Sequence, residues 1–416
     1  MPLDISVSDP EKHGNSSVNA YVDFKVTTST DLSRFASNDF FVRRRFRDFQ
    51  WLRERLVATF PGAIVPPLPL TESIMSTDDR FSTAFIGRRK AGLELFLRRV
   101  AGHPSLSTST DLQTFLEAKM WELQTAKSVS SSAAAVSSSW MSALLDTVTD
   151  STSASLQIVG LRQEQRDDEH MVRLRSHAAK FSTTITAAAA AHQATVSTFE
   201  ELAGDLALLG PAVNLLSQSE TELSLPFTHM ASALEALKNS LLSQVQQDYV
   251  SGFSLLLAYN VGMAASLKTV LQNRDRALLN YQRAQGVLEA KRHDRKQWQD
   301  ANAAQENDEA QTQARPDTFY GQLMGRIDSL VDDPKKGLRL ETEVAEAEAQ
   351  LSETSTSWVG ISEALAPEVD AFHRAKAADF ARGLRSHVEH QIQFESAQQE
   401  QWIQLLSVFE QVPSAD

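Results

Sequence analysis

The chain has 416 residues, 42% hydrophobic and 22% charged, a composition ordinary for a globular protein and a length sufficient for two or three domains. It contains no cysteine, which excludes disulfides, thiolate metal sites and a thiol nucleophile. A net charge of −13 argues against general nucleic-acid binding, but residues 1–119 hold 16 Lys+Arg against 14 Asp+Glu (+2), leaving 24 against 39 (−15) for the rest.

The opening "MPLDISVSDPEKHG" has neither a basic nor an apolar leader segment, so no signal peptide is expected and the sequon at Asn15 is expected to stay unmodified. Short β-rich runs follow in "LDISVSDP", "NAYVDFKVTT" and "DFFVRRRF", the first two separated by the turn-like "EKHGNSS". They predict a three-stranded meander. From Arg47 the spacing becomes helical, with Phe49, Leu52, Leu56 and Phe60 leading to the stop "FPG". The segment "IVPPLPL" (Ile64 to Leu70) must run extended, because its prolines fix φ and remove donors. A second helix carries Phe85, Leu93, Phe96, Leu97 and Val100, and a short third one ends near Leu116. Residues 1–119 therefore predict a small α+β domain, a three-stranded antiparallel sheet plus helices.

Residues 120–157 are Ser/Ala-rich and predict a linker interrupted by an amphipathic helix over 140–148, with Trp140, Met141, Leu144, Leu145 and Val148 on one face. Beyond it everything reads as helix, over about 158–209, 224–298 and 338–411. The first stops at Gly210-Pro211, and the second, from Phe227 to Leu288, would at about 1.5 Å per residue span on the order of 100 Å. The third spaces Val344, Leu351, Trp358, Leu365 and Phe372 at sevens, a coiled-coil pattern, with Pro367 bending it rather than ending it. Helices this long cannot bury their stripes within one narrow chain, so an elongated, bent, dimeric bundle is expected. The longest apolar run, "FSLLLAYNVGMAA" from Phe253, is short and interrupted, which predicts peripheral rather than spanning membrane contact.

The first candidate binding stretch is "FFVRRRFRDFQWL" (40–52), where four arginines surround Phe46. Strand periodicity puts Arg43, Arg45 and Arg47 on one face and Arg44 and Phe46 on the other. A solvated edge strand or a nucleic-acid patch would account for arginines alone. The second cluster, "GRRKAGLELFL", and the Pro-rich segment between the two favour a polyanionic ligand instead, since guanidinium forks suit phosphate. The spacing Pro66 to Pro69 also fits an SH3 ligand, against the reading of a rigid pocket wall. "KRHDRK" (Lys291 to Lys296) and "PKKGLR" (Pro334 to Arg339) meet at one end of the predicted rod, with Lys291, Arg292, Arg295, Lys296, Lys335 and Lys336 as candidate contacts to anionic lipid. Dipole complementarity at a solvated helix end explains the first cluster equally well. Between the two, "FYGQLMGRIDSLV" predicts a short helix within a loop of about 38 residues. No GxxxxGK[ST], HExxH, GxSxG or strand-to-helix GxGxxG occurs, and no metal site, cofactor or catalytic residue is expected.

In this order, "RRRFRDFQWLRERL", "FPGAIVPPLP" and "RRKAGLELFLRRVAGHPSL" resemble the phox-homology (PX) domain, a phosphoinositide-binding module. With the helices behind it, the chain resembles a PX-BAR sorting nexin, and "LKTVLQNRDRALLNYQ" is most similar to the branch of sorting nexins 4, 7 and 30. The resemblance implies an all-α BAR domain over 158–412, three long bent helices forming a crescent dimer, either a homodimer or a heterodimer with another PX-BAR sorting nexin. It implies that Arg45 pairs with the 3-phosphate of phosphatidylinositol 3-phosphate, that the Phe46 ring packs against the inositol, and that Arg89 bonds its 4- and 5-hydroxyls. Leu70, Ile74 and Met75 then lie on a membrane-facing loop, either entering the lipid interface or packing under the loop. Thr71 stands where the family usually has a lysine for the 1-phosphate, a loss of about 1.5–3 kcal/mol, or roughly tenfold or more in affinity. Arg80, Arg88 and Lys90 are the cations available to compensate. The implied work is cargo sorting, recycling or autophagy-related trafficking on the cytosolic face of early or recycling endosomes. The alternative is a protein-interaction scaffold of the same fold with a weakened or silent lipid pocket.

Overall fold

The computed structural model describes residues 3–14, 20–69, 82–119, 123, 169–312 and 334–410. The amphipathic helix expected at 140–148 and the short one at 319–331 lie outside these residues, as do Leu70, Thr71, Ile74 and Met75.

Strands β1 (Leu3–His13), β2 (Tyr21–Thr30) and β3 (Asp39–Arg45) form the antiparallel meander in the order β1-β2-β3. Alternation buries Leu3, Ile5 and Val7 of β1 and Phe24 and Val26 of β2 on one face, with Val7 opposite Val26, as a one-faced sheet requires. β1 runs on through Glu11–His13, residues whose composition predicts a turn. The ladder survives there because its register shifts between Ser8 and Glu11, with Asp9 at φ 44°. Helix α1 (Phe46–Thr59) follows β3 directly, so Phe46 and Arg47 leave the strand; Phe46 does not share a strand face with Arg44, nor Arg47 with Arg43 and Arg45. Helix α2 (Thr83–Ala101), a 3-10 turn (Leu106–Thr108) and α3 (Thr110–Glu117) complete the layer. Phe49, Leu52, Leu56, Leu93, Phe96, Leu97, Val100, Leu112 and Phe115 form its fully buried core.

Arg44 enters this core from β3, opposite Phe24, with 1% of its surface exposed. Its Nε donates to Phe115 O (2.7 Å), its NH1 to Arg43 O (3.2 Å) and its NH2 to Ala118 O. The guanidinium thus satisfies carbonyls that the end of α3 leaves unpaired, and it lies over the Phe115 ring. Burial lowers its pKa to about 10, so it remains a cation at neutral pH.

The helical part comprises α4 (Glu169–Ser219), α5 (Ser224–Ser251), α6 (Phe253–Thr312) and α7 (Pro334–Phe409). α4 does not stop at Gly210-Pro211. Ala203, Leu206, Gly210, Val213 and Ser217 keep one buried stripe through the proline, and packing against Leu234 and Leu241 outweighs one missing hydrogen bond. The second expected helix is instead two, broken at Gly252. A Cβ there would lie 2.5 Å from Asp248 Cα. Asp248 reorganises the break, accepting from Phe253 N (3.0 Å) and from the Ser254 hydroxyl. α7 continues through Pro367, and its heptad residues Val344, Leu365 and Phe372 are buried.

The chain divides into two compact units, Met1–Thr269 with Val369–Asp416, and Val270–Glu368. In the first, Ile185, Leu257 and Ala264 pack with Phe380, and Phe181 meets Phe372 edge to face. In the second, Leu288 packs with Val344, Ala347 and Leu351, and Tyr281 stacks on Trp358. The stretch Ser224–Ala303 is long and apolar enough to cross a bilayer by length and composition alone. It buries Asn260, Ser266 and Arg274, polar side chains suited to a protein interior rather than to lipid.

Two measurements check this account. Arg44→Leu strands the carbonyls of Phe115 and Ala118 and should lower unfolding free energy by about 3 kcal/mol in urea denaturation. His373 and His387 have pKa values lowered chiefly by burial; Lys376 and His177 add to the effect at the first, His192 and His390 at the second, against the opposing pull of Asp370 and Asp248. As pH falls through the ordinary histidine range the unfolded chain protonates first, so stability is full above about pH 7 and declines below it. The melting temperature should therefore drop between pH 7.5 and 5.5, and His373→Gln with His387→Gln should flatten that drop.

Candidate functional site

Arg45 is both the last residue of β3 and the N-cap of α1, with extended backbone (φ −89°, ψ 162°). The buried Asp48 accepts from Arg45 N at 2.8 Å through Oδ2, and its Oδ1 lies 3.6 Å from Arg45 Nε. One carboxylate thus caps the helix and orients the guanidinium. The Arg45 Nε is buried without a hydrogen-bond acceptor among the described residues, while the side chain as a whole is 35% exposed. An incoming anion would satisfy that donor.

Phe46 opens α1, and α2 delivers Arg89 onto it. The Arg89 Cζ lies 4.3 Å from the Phe46 ring centroid and 4.3 Å from that of Phe85. Two aromatic faces hold the planar cation in one orientation. Arg45, Phe46 and Arg89 are therefore gathered where β3 passes into α1 and α2 crosses it. The other arginines of the cluster are engaged elsewhere or point outward. Arg43 binds Asp23 (2.7 Å), Glu11 (3.0 Å) and Asp9 O (2.9 Å), Arg44 is internal, and Arg47 is exposed on α1. Glu11, His13 and Asp23 offer ligand atoms within 4.8 Å of one another, but Arg43 already gives Glu11 and Asp23 a cationic partner.

The Pro-rich segment packs against α1, α2 and α6. Pro66 and Pro67 are buried, and Arg53 donates to Pro66 O (3.2 Å) and to the Ser266 hydroxyl of α6 (3.2 Å). A Cβ added at Gly92 would lie 2.6 Å from Pro69 Cβ, and one at Gly262 would lie 2.4 Å from Pro67 Cβ. The segment is pressed between α2 and α6, which closes the SH3-ligand reading of Pro66–Pro69. Neither glycine carries a sequence signal, because the need for it arises only where two elements distant in sequence touch.

Further contacts join α2 to the helices. Arg88 lies 4.6 Å over the Tyr249 ring of α5, and Arg99 pairs with Asp379 of α7 while lying over Tyr259 of α6. Burial works against the Arg99 charge, but the Asp379 hydrogen bond more than offsets it and its pKa is raised. Burial also pushes Tyr259 up to about 12.

At the candidate basic end, Lys291 pairs with Glu343 (2.7 Å) and Arg292 with Glu348 (2.8 Å), so α7 neutralises two of the cations the sequence singles out. Arg295 is half-buried, Lys296 and Lys336 are exposed, and the Lys335 side chain lies outside the described residues. The run "ETEVAEAE" (Glu341 to Glu348) was the available sign that these cations have intramolecular partners.

Comparison with known proteins fits this geometry. The PX domain model matches residues 32–119, and the model described as Vps5 C terminal like matches 144–317 and 326–408. Sorting nexin 1 of Arabidopsis thaliana is 44% identical over 116 residues, 28% of each chain. Sorting nexin-2 of Bos taurus is 27% identical over 94% of this chain and 69% of its own length. Sorting nexin-4 of Cryptococcus neoformans is 24% identical over 99% of this chain and 81% of its own. The cryo-EM structure of the SNX-BAR Mvp1 tetramer shares the fold, with a TM-score of 0.57 at 16% identity over 97% of this chain and 100% of that one. The class is thus a PX domain followed by a long-helix region of the BAR type. The chain belongs to the PX-BAR sorting nexins, a family of non-enzymatic, membrane-associated trafficking proteins.

The packing of the Pro-rich wall is open to a direct check. Gly262→Val forces Pro67 off α6 and should cost about 1–3 kcal/mol in chemical denaturation.

Proposed function

We propose that the chain binds phosphatidylinositol 3-phosphate through Arg45, Phe46 and Arg89. Arg45 takes the 3-phosphate, the Phe46 ring packs on the inositol, and Arg89 bonds the 4- and 5-hydroxyls. The observation that carries this reading is the oriented Arg45, whose buried Nε has no acceptor among the described residues, beside the Arg89–Phe46 stack. Leu70, Ile74 and Met75 enter the lipid interface next to the headgroup. The domains run over 1–119 for the PX module, 120–157 for the linker and 158–412 for the BAR region.

The helical region pairs with a second chain, its own copy or another PX-BAR sorting nexin, and the pair reads curved membrane. Large apolar side chains left exposed support this: Leu208 at 76%, Leu215 at 65%, Leu225 at 62%, Ile403 and Leu406 at 58%. They cluster toward the end of α4, the start of α5 and the end of α7. With Lys291 and Arg292 held by Glu343 and Glu348, the basic contact to anionic lipid falls to Arg295, Lys296, Lys335 and Lys336. The setting is the cytosolic face of early or recycling endosomes, where the protein sorts or recycles cargo and serves autophagy-related trafficking.

Liposome co-sedimentation tests the lipid site. Wild type should pellet only with vesicles containing phosphatidylinositol 3-phosphate, Arg45→Ala should lose about tenfold or more, and Thr71→Lys should gain roughly tenfold. Lipid-independent behaviour of wild type with binding restored by Thr71→Lys overturns the reading and leaves a protein-interaction scaffold. Light scattering at micromolar concentration should give a dimeric mass; a monomer contradicts the paired helices.

A further inference from the structure

Arg88 and Arg89 are adjacent on α2 but face different partners. Neighbours on a helix diverge by about 100°, so one helix turn presents Arg89 to the rings of Phe46 and Phe85 and Arg88 to Tyr249 on α5. Tyr249 is itself held from α4, since Gln193 Nε2 donates to its hydroxyl at 2.6 Å. Ten residues of sequence, 89–98, separate this seat from the second, where Arg99 pairs with the buried Asp379. Helix α2 is therefore gripped near both ends by the helical region, and the residue beside the first grip is one of the three in the proposed pocket.

We infer that Tyr249 is a positioning residue for the phosphoinositide pocket: through Arg88 it fixes the first turns of α2 and so the direction of Arg89, making headgroup affinity depend on the helical region. This inference rests on the proposed lipid site. A guanidinium stacked on a ring is held by the ring's face more than by its hydroxyl, so the phenyl group alone should suffice. The energy scale of such a contact corresponds to about three- to tenfold in affinity.

The test is calorimetric titration of the full-length chain with soluble inositol 1,3-bisphosphate. Tyr249→Ala should weaken binding about three- to tenfold, and Tyr249→Phe should stay within about twofold of wild type. Arg88→Met should reproduce the loss from the other side of the contact, and Tyr249→Ala should then add nothing in the Arg88→Met background. Three results overturn the inference: wild-type affinity in Tyr249→Ala, wild-type affinity in Arg88→Met, or an equal cost of Tyr249→Ala with and without Arg88. If Tyr249→Ala does not fold, Arg88→Met and Tyr249→Phe decide. In each of these cases wild type and Arg45→Ala still differ, so the lipid site stands; a wild-type chain that binds no headgroup removes both.

Discussion

The structure depends on the placement of α2. Its inner face, Leu93, Phe96, Leu97 and Val100, is fully buried against the sheet and α1. Arg89 on one flank reaches the aromatic rings at the β3–α1 junction, and Arg88 and Arg99 on another reach α5, α6 and α7. A rigid helix allows one axial position and one rotation to meet all three demands. Slipping it by a residue would turn the apolar face by about 100° and break the core, the aromatic stack and the contacts to the helical region together.

Charge inside the fold is used in two ways. Arg44 works as an interior strut, a cation closing carbonyls that α3 cannot pair itself. Arg45, one residue on, is oriented by Asp48 yet keeps its Nε without an acceptor among the described residues, a cost that an anion bound at the proposed site would offset. Asp48 thereby marks the change from the structural Arg44 to the Arg45 of the proposed site. In the helices Asp248 has a related task, since its carboxylate bonds His192 at 2.9 Å and accepts from Phe253 N across the break at Gly252. Burial opposes its charge, but these bonds hold its pKa below the ordinary carboxylate value.

The meander, the three short helices and the buried heptad residues of α7 were legible in sequence because each follows from a local period, 2 in strands and near 3.6 in helices. The continuation of α4 through Pro211 and the break at Gly252 were not. The first depends on partner side chains around Val213 and Leu234, and the second on the Asp248 carboxylate, which accepts from Phe253 N and the Ser254 hydroxyl at a position with no room for a Cβ. Local signals place a proline or glycine correctly as a weak point, while packing decides whether the helix yields there.

At the candidate site, sequence alone determined that two basic clusters and a proline-rich wall belong to one small domain, and resemblance singled out Arg45, Phe46 and Arg89. Only the tertiary structure decided which arginine stands inside the core, that Arg89 stacks on Phe46, that Pro67 is closed against Gly262, and that Lys291 and Arg292 are answered by Glu343 and Glu348. The physical reason is range. Periodicity and turn chemistry act over a few residues, whereas the fate of a charge depends on which carboxylate, ring or carbonyl the folded chain brings within about 4 Å of it.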